Sequence, residues 1–447
     1  MNTLFMDRLP IIPEISPDRG PLTMLHFADL HSHYEKYPNF LPLIRRIVEE
    51  ESKERPVLLV FNGDLFEGGD VVAERSQGVL DWEFMRELRQ LAPVLVNLGN
   101  HEFDFMSPGA YLAKAKECGL SVIGTLAWKD SGVALSPSMV QAGGLALMGL
   151  SVADMNTYPT AIEKELVVPS PEKCLRQMLG EIQETELCPF LISHAGLDAD
   201  ARLLQYLPSG TQVFGAHNHL LFEVPLSGGG SYRHQGFRGE AITVTRVDWS
   251  DGQPSYEFRD LAEDPNPPHV DAGWEEKVFA LQKRWLNSDD TEIIGTNPRG
   301  VSYRRAAQWV ADQLRASLGV DATAINHTSI GSELPEGAIS RYCFNAFVRF
   351  ENELVSFRLS GEDLVRIREK ATREQENPLA CGRGDLLFGA FPEEIDPGQW
   401  YTLVTTDWIA SEPNQLQYLG LSGRKATGMK DCLKAIIKRA LCLKEDD

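Results

Sequence analysis

Residues 94–104 read "VLVNLGNHEFD". An apolar run, Val94 to Leu98, meets Gly99, and the glycine gives way at once to Asn100, His101, Glu102 and Asp104. Short runs rich in Val and Leu that end at a turn residue read as buried strands. Polar groups just past the carboxyl end of such a strand stand where open α/β sheets bind their ligands. The same construction recurs on both sides. "LLVFNGDLFEGG" (58–69) delivers Asp64 after a glycine, and "HFADLHSH" (26–33) sets Asp29, His31 and His33 at alternate positions. Downstream, "FLISHAG" (190–196) ends in His194 and "VFGAHNH" (213–219) in His217 and His219. Taken singly, the Asp29-His31-His33 triplet suits either a metal-dependent barrel hydrolase or a turn with a structural histidine. Taken together, the five strand ends hold six of the chain's 10 histidines. Ser, Thr or Lys would end a strand equally well, so the repeated choice of Asp, Asn and His points to metal ligation.

The strands form part of a longer alternation. "LTMLHFA", "PVLLVFN", "PVLVNLG", "LALMGLS", "PFLISH" and "TQVFGAH" alternate with amphipathic stretches such as "LDWEFMRELRQL" and "PEKCLRQMLGEIQE". This pattern predicts an α/β domain, while hairpin-like sequence over 224–249 makes its sheets mixed. With 447 residues the chain exceeds one ordinary core. We expect an arm over 1–21, a catalytic domain over 22–262, a linker region over 263–290 and a C-terminal α/β domain over 291–447. The linker opens on the proline-rich "EDPNPPH" (263–269). A helix follows, with Trp274, Val278, Leu281 and Trp285 on one face, to pack on a domain or bridge two.

The ordered set D-x-H, G-D, G-N-H-E, a lone His and G-x-H-x-H resembles the signature of the binuclear metallophosphoesterases, and in particular their two-domain 5′-nucleotidase branch (UDP-sugar hydrolase/5′-nucleotidase-like). The motifs lie between Leu22 and Leu261, and the likeness continues more weakly to the C-terminus. The resemblance implies an N-terminal sandwich of two mixed β-sheets flanked by helices, joined by a helical linker to a smaller C-terminal α/β domain. It implies two divalent metal ions, drawn from Mn, Zn, Co, Fe or Mg. Asp29, His31 and His219 would bind one, Asn100, His194 and His217 the other, and Asp64 would bridge both. Such ions acidify water for in-line attack on phosphorus. His101 and Asp104 match the family's catalytic dyad, in which the acid orients the imidazole and the imidazole assists the leaving oxygen. Glu102 and His33 are expected to support these groups. His26 and His327 lack such context and read as packed or solvated; His234 stays unassigned.

The family's C-terminal domain sandwiches a base between two aromatics, holds phosphate with arginines, and moves as a hinge to carry substrate to the metals. Here "AINHTSIGSELPEGAIS" (324–340) is similar to its N-G-G-G-I-R stretch: Asn326 matches the Asn, but the arginine position is Gly331. "VRFENELVSFRLSGEDL" (348–364) is similar to P-F-x-N-x-L, with Phe350 and Asn352 matching. The second aromatic position is Leu416. Arg299, Arg304 and Arg305 would hold phosphate or form a solvated basic face, and the "RGD" at 383–385 reads as a turn.

The formal net charge is −21, which repels nucleic-acid polymers and anionic membranes but admits a small phosphorylated substrate at a metal site. Seven scattered cysteines without a CxxC pair, and an N-terminus broken by an acid and prolines, predict a cytoplasmic protein without disulfides or an export signal. The expected activity is hydrolysis of phosphate monoesters, foremost nucleoside 5′-monophosphates. The alternatives are a phosphodiester or pyrophosphate hydrolase (cyclic nucleotide, nucleotide sugar or dinucleotide) and a non-catalytic nucleotide-binding sensor.

Overall fold

The computed structural model describes residues 9–262, 271–381 and 383–442. The linker motif 263–269 and the first eight residues of the arm lie outside that range. The chain divides into two compact units, Met1–Trp285 and Leu286–Asp447.

The first unit is the expected sandwich of two mixed six-stranded sheets. In one sheet the order is Gln253–Ala262, Ala241–Ser250, Leu22–Phe27, Val57–Phe61, Val94–Asn97, Ser121–Ile123. Its last four strands run parallel, and the first two form an antiparallel hairpin. The other sheet runs Leu221–Pro225, Ser231–Gln235, Gln212–Gly215, Cys188–Ser193, Leu145–Leu150, Met139–Ala142. The predicted strands bury both faces, so their sequences are continuously apolar rather than alternating. Met24, Leu58, Val60 and Leu95 of one sheet share a core with Leu145, Leu147, Phe190, Ile192 and Phe214 of the other.

Parallel register aligns the carboxyl ends of strands 22–27, 57–61 and 94–97 on one edge, with those of 188–193 and 212–215 together in the second sheet. The helix Ala272–Trp285 belongs to the first unit. It buries Trp274 and Val278, the Trp274 indole donates to the Tyr37 carbonyl at 2.8 Å, and Lys277 pairs with Glu83 at 2.8 Å.

His26 is packed in this core rather than solvated. Its ring stacks on Phe214 at 3.9 Å with a 6° tilt, and neither ring nitrogen has a hydrogen-bond partner. Burial, helped by Arg233, lowers its pKa from 6.5 to about 3. The unfolded chain therefore takes up this proton first, and stability present above pH 6.5 is lost as pH falls toward 3. The loss amounts to about 2 kcal/mol at pH 5. His26→Phe should leave stability near neutral pH little changed and raise the urea midpoint progressively below pH 6.5. A constant difference between the two proteins from pH 7.5 to 5 would refute the assignment.

The second unit holds a five-stranded sheet ordered Leu387–Ala390, Ala322–Asn326, Trp400–Thr406, Glu353–Ser360, Thr427–Cys432. The helices Tyr303–Leu318 and Leu433–Cys442 pack in a core on one side, and Gly361–Glu376 packs in a second core. Asn326 ends one central strand, and Trp408 follows the end of the parallel strand beside it.

Candidate active site

The two sheets are stitched together directly beneath the predicted site by two buried asparagines. The Asn97 amide donates to Asn62 Oδ1 at 2.8 Å, to the Leu150 carbonyl at 2.9 Å and to the Ile192 carbonyl at 3.2 Å. Asn62 donates in turn to the carbonyls of Ser193 and Phe214 at 3.0 and 3.1 Å. Buried amides that satisfy carbonyls across a sandwich fix the relative height of its strands. Those strands carry the site residues.

Nine sequence-predicted residues of this unit converge above that stitch. One ligand atom each from Asp29, His31 and His219 lies within 4.8 Å of the others, and the same holds for Asp64, His194 and His217. Asp64 joins the two groups. Its Oδ1 accepts the backbone N–H of Asn100 at 2.8 Å and of His101 at 2.9 Å. Its Oδ2 lies 3.0 Å from His194 Nε2 and 3.7 Å from His31 Nε2. His194 Nε2 is also 3.7 Å from Asp29 Oδ1. Asn100 gives its amide nitrogen to the Thr157 carbonyl at 3.1 Å, which leaves its buried Oδ1 without a hydrogen-bond partner.

Five of these residues, Asp29, His31, Asp64, His217 and His219, adopt positive φ between 47° and 77°. Asp, Asn and His are several-fold enriched among the non-glycine residues that visit this region, and each instance costs about 1–3 kcal/mol. The glycines before Asp64 and Asn100 serve close approach. A Cβ on Gly99 would stand 2.3 Å from Asp64 Oδ1, and one on Gly63 2.7 Å from His194 Nδ1.

The donors suit cations. His194 Nδ1 lies 2.5 Å from the Asn62 carbonyl, a contact that places the proton on Nδ1 and frees the Nε2 lone pair. His31 Nε2 and His219 Nε2 face each other at 2.9 Å, two basic nitrogens turned to one point. Burial raises the pKa of Asp29 and takes that of Glu102 to about 7. Such packing of acids calls for positive charge between them. Asp64 is held low despite burial by His194, His101 and His31. The set of carboxylate, imidazole and amide oxygen fits two borderline divalent ions.

His101 Nδ1 lies 2.8 Å from Asp104 Oδ2. Burial works against the charged ring, but Asp104 and then Asp64 outweigh it and raise its pKa to about 10. The supporting residues exceed those expected from sequence. Glu67 Oε2 lies 3.2 Å from His31 Nδ1, on the far side of the ring from His219. Buried Arg238 contacts His33 Nδ1 at 3.2 Å and gives its backbone N–H to the Asp29 carbonyl at 2.7 Å. Phe237 stacks on His219 at 4.5 Å. The clue was the glycine-flanked "QGFRGE" (235–240) after the last histidine motif. Glu102 accepts the Leu65 N–H, consistent with a supporting role. His234 is buried, 2.7 Å from the Tyr232 hydroxyl, which donates to Asp200.

In the second unit Asn326 is held within the chain: it donates to Thr328 Oγ1 at 2.7 Å and Asp385 at 3.2 Å, and accepts from Ser329 at 2.6 Å. Asp385 also accepts from Thr328 and Tyr418, so the "RGD" stretch is the hub of a polar cluster rather than a plain turn. Phe350 is 49% exposed and Leu416 57%. Asn352 is half-buried and its carbonyl accepts the Leu433 N–H. His327 is packed, its Nδ1 accepting the Leu386 N–H at 3.0 Å.

Residues 22–221 match the calcineurin-like phosphoesterases, and residues 294–386 match the 5′-nucleotidase C-terminal domain. An apyrase of Aedes albopictus is 22% identical over 241 residues, 48% of this chain and 42% of the apyrase. The chain spans less than half the length of the apyrases it matches. An uncharacterized metallophosphoesterase of Bacillus subtilis, YunD, is 21% identical over 382 residues, 80% of this chain and 79% of YunD. The solved 5′-nucleotidase precursor of Thermus thermophilus shares the fold, with a TM-score of 0.62 at 17% identity over 95% of this chain and 97% of that one. Residues 22–221 thus carry a domain of the calcineurin-like phosphoesterase type. A 5′-nucleotidase C-terminal domain follows it, so the chain has the two-domain order of 5′-nucleotidase-like metallophosphoesterases, with the phosphoesterase domain first.

Proposed function

We propose that the chain hydrolyses small phosphate monoesters, foremost nucleoside 5′-monophosphates, in a reducing cytoplasm. Asp29, His31 and His219 would hold one divalent cation, and Asn100, His194 and His217 a second. The observation that carries this reading is the Asp64 carboxylate. One oxygen is tied down by two backbone N–H groups, and the other is presented to His194 and His31 together. Bound there, the cations would supply Lewis-acid polarisation of phosphoryl oxygens and a more acidic water. His101 holds a proton for the leaving oxygen, and Asp104 fixes its ring through Nδ1. Glu67 and Arg238 keep the His31 and His33 rings from turning. The excess of acids favours a small substrate over a polyanion, and the described cysteines, all free, suit the compartment.

A second reading, hydrolysis of phosphoanhydrides, draws on the likeness to apyrases. The test strips the purified protein with a chelator and restores Mn²⁺, Co²⁺, Zn²⁺ or Mg²⁺ singly. Phosphate release is then followed on AMP, ADP and p-nitrophenyl phosphate, and conversion of cyclic AMP to AMP by chromatography. Metal-dependent release with AMP leading is expected. ADP leading would select the anhydride reading, and no turnover of any of the four substrates with any metal would reject both.

A further inference from the structure

Two buried carboxylates stand behind the predicted ligands, one in each half of the sandwich. Asp81 lies in the helix Val79–Leu91, between strands Val57–Phe61 and Val94–Asn97 of the first sheet. Asp200 lies in the helix Leu197–Leu203, between strands Cys188–Ser193 and Gln212–Gly215 of the second. They are 0% and 1% exposed. Each takes hydroxyl donors. Asp81 Oδ2 accepts from Tyr34 at 2.7 Å and Ser32 at 3.2 Å, and Oδ1 from Tyr37 at 2.7 Å. Asp200 Oδ1 accepts from Ser193 at 2.5 Å and Oδ2 from Tyr232 at 2.8 Å.

In both clusters one donor is a serine adjoining a predicted ligand: Ser32 follows His31, and Ser193 precedes His194. Ser32 Oγ also accepts the Glu67 N–H at 3.1 Å, and Glu67 Oε2 stands 3.2 Å from His31 Nδ1. A chain of contacts therefore runs from Asp81 through Ser32 and Glu67 to the His31 ring. His31 and Ser32 both hold positive φ, 47° and 48°, a conformation that persists only where its surroundings enforce it. In the second sheet, Ser193 Oγ accepts the Ala195 N–H at 3.2 Å. The hydroxyl tied to Asp200 thus spans His194, from the residue before it to the residue after it. Hydrogen bonds to an ionised carboxylate are about twice as strong as neutral ones, which suits these acids to hold a serine in place.

We propose that Asp81 and Asp200 are positioning residues, one for each cation position: Asp81 fixes His31 through Ser32 and Glu67, and Asp200 fixes His194 through Ser193. The two halves of the site are then set independently, each by its own acid and serine.

This inference rests on the two-cation reading of the site. The full chain, stripped of metal and freed of chelator, is titrated with Mn²⁺ by calorimetry. His31→Ala and His194→Ala mark which binding event belongs to which half. Asp81→Asn should weaken the His31 event by about tenfold or more, the scale on which partners of metal ligands act, and leave the other within about threefold. Asp200→Asn should do the reverse. Ser32→Ala should reproduce the Asp81→Asn loss, and the double variant should lose little more, because the two act in series. Should Asp81→Asn fail to fold, Ser32→Ala with Tyr34 and Tyr37 intact carries the test. Losses that are absent, equal in both events, or additive in the double variant would overturn the assignment while two ions in the wild type kept the two-cation reading. Fewer than two Mn²⁺ per wild-type chain would overturn that reading, and the inference with it.

Discussion

Asp64→Asn is expected to yield a folded protein that retains at most one divalent ion per chain and whose turnover falls by about a thousandfold or more, as when one member of a catalytic unit is removed. The change is nearly isosteric, so its effect comes from which end of the amide points where. Oδ1 of Asp64 sits against the N–H groups of Asn100 and His101 at 2.8 and 2.9 Å. Two donors cannot face a third, so the oxygen of the introduced amide would have to take that place. Its NH₂ then points where Oδ2 stood, 3.0 Å from His194 Nε2 and 3.7 Å from His31 Nε2. A donor there opposes any cation held by those rings, and the shared negative charge is gone as well. Metal analysis after gel filtration measures the first effect and phosphate release the second. Two ions per chain with turnover within tenfold of wild type would remove Asp64 from the centre of the site.

The five motifs were legible because each is local: a strand, a turn residue and a candidate ligand lie within a dozen positions, as in Val94 to Asp104. Their convergence was legible too, since parallel strands must align their carboxyl ends. Other features depended on distance through space rather than along the chain. Asn62 and Asn97 look like ordinary strand-end residues until the second sheet supplies Leu150, Ile192, Ser193 and Phe214 as their partners. Glu67 matters because it reaches His31, and Arg238 because it reaches His33. His26 lay in the first motif, yet its ring turns away from the ligands onto Phe214. In the second unit the sequence registered a missing arginine at 331, but only the bridge between Ile330 and Val348 shows the stem of Arg349 lying against that glycine.

His101 separates a proton donor from a ligand, because Glu67, His31 and His101 also approach within 4.8 Å. The geometry favours the donor. Glu67 lies at 3.2 Å from His31 Nδ1 while His31 Nε2 turns to His219, so the carboxylate orients a ring rather than completing a third cage. With Nδ1 of His101 held by Asp104, Nε2 is left for the leaving oxygen. His101→Ala should therefore lower kcat on AMP by about 10²–10⁴-fold while the bound metal stays constant. p-Nitrophenyl phosphate, whose phenolate departs without a proton, should lose far less. Asp104→Asn tests the charge. Burial lowers the His101 pKa, and Asp104 is the foremost group raising it to about 10. Without that carboxylate the ring gives up its proton at lower pH. The alkaline limb of kcat on AMP should move to lower pH relative to wild type, whatever the cations add equally to both proteins. Equal losses on the two esters, with metal content halved, would instead make His101 a ligand.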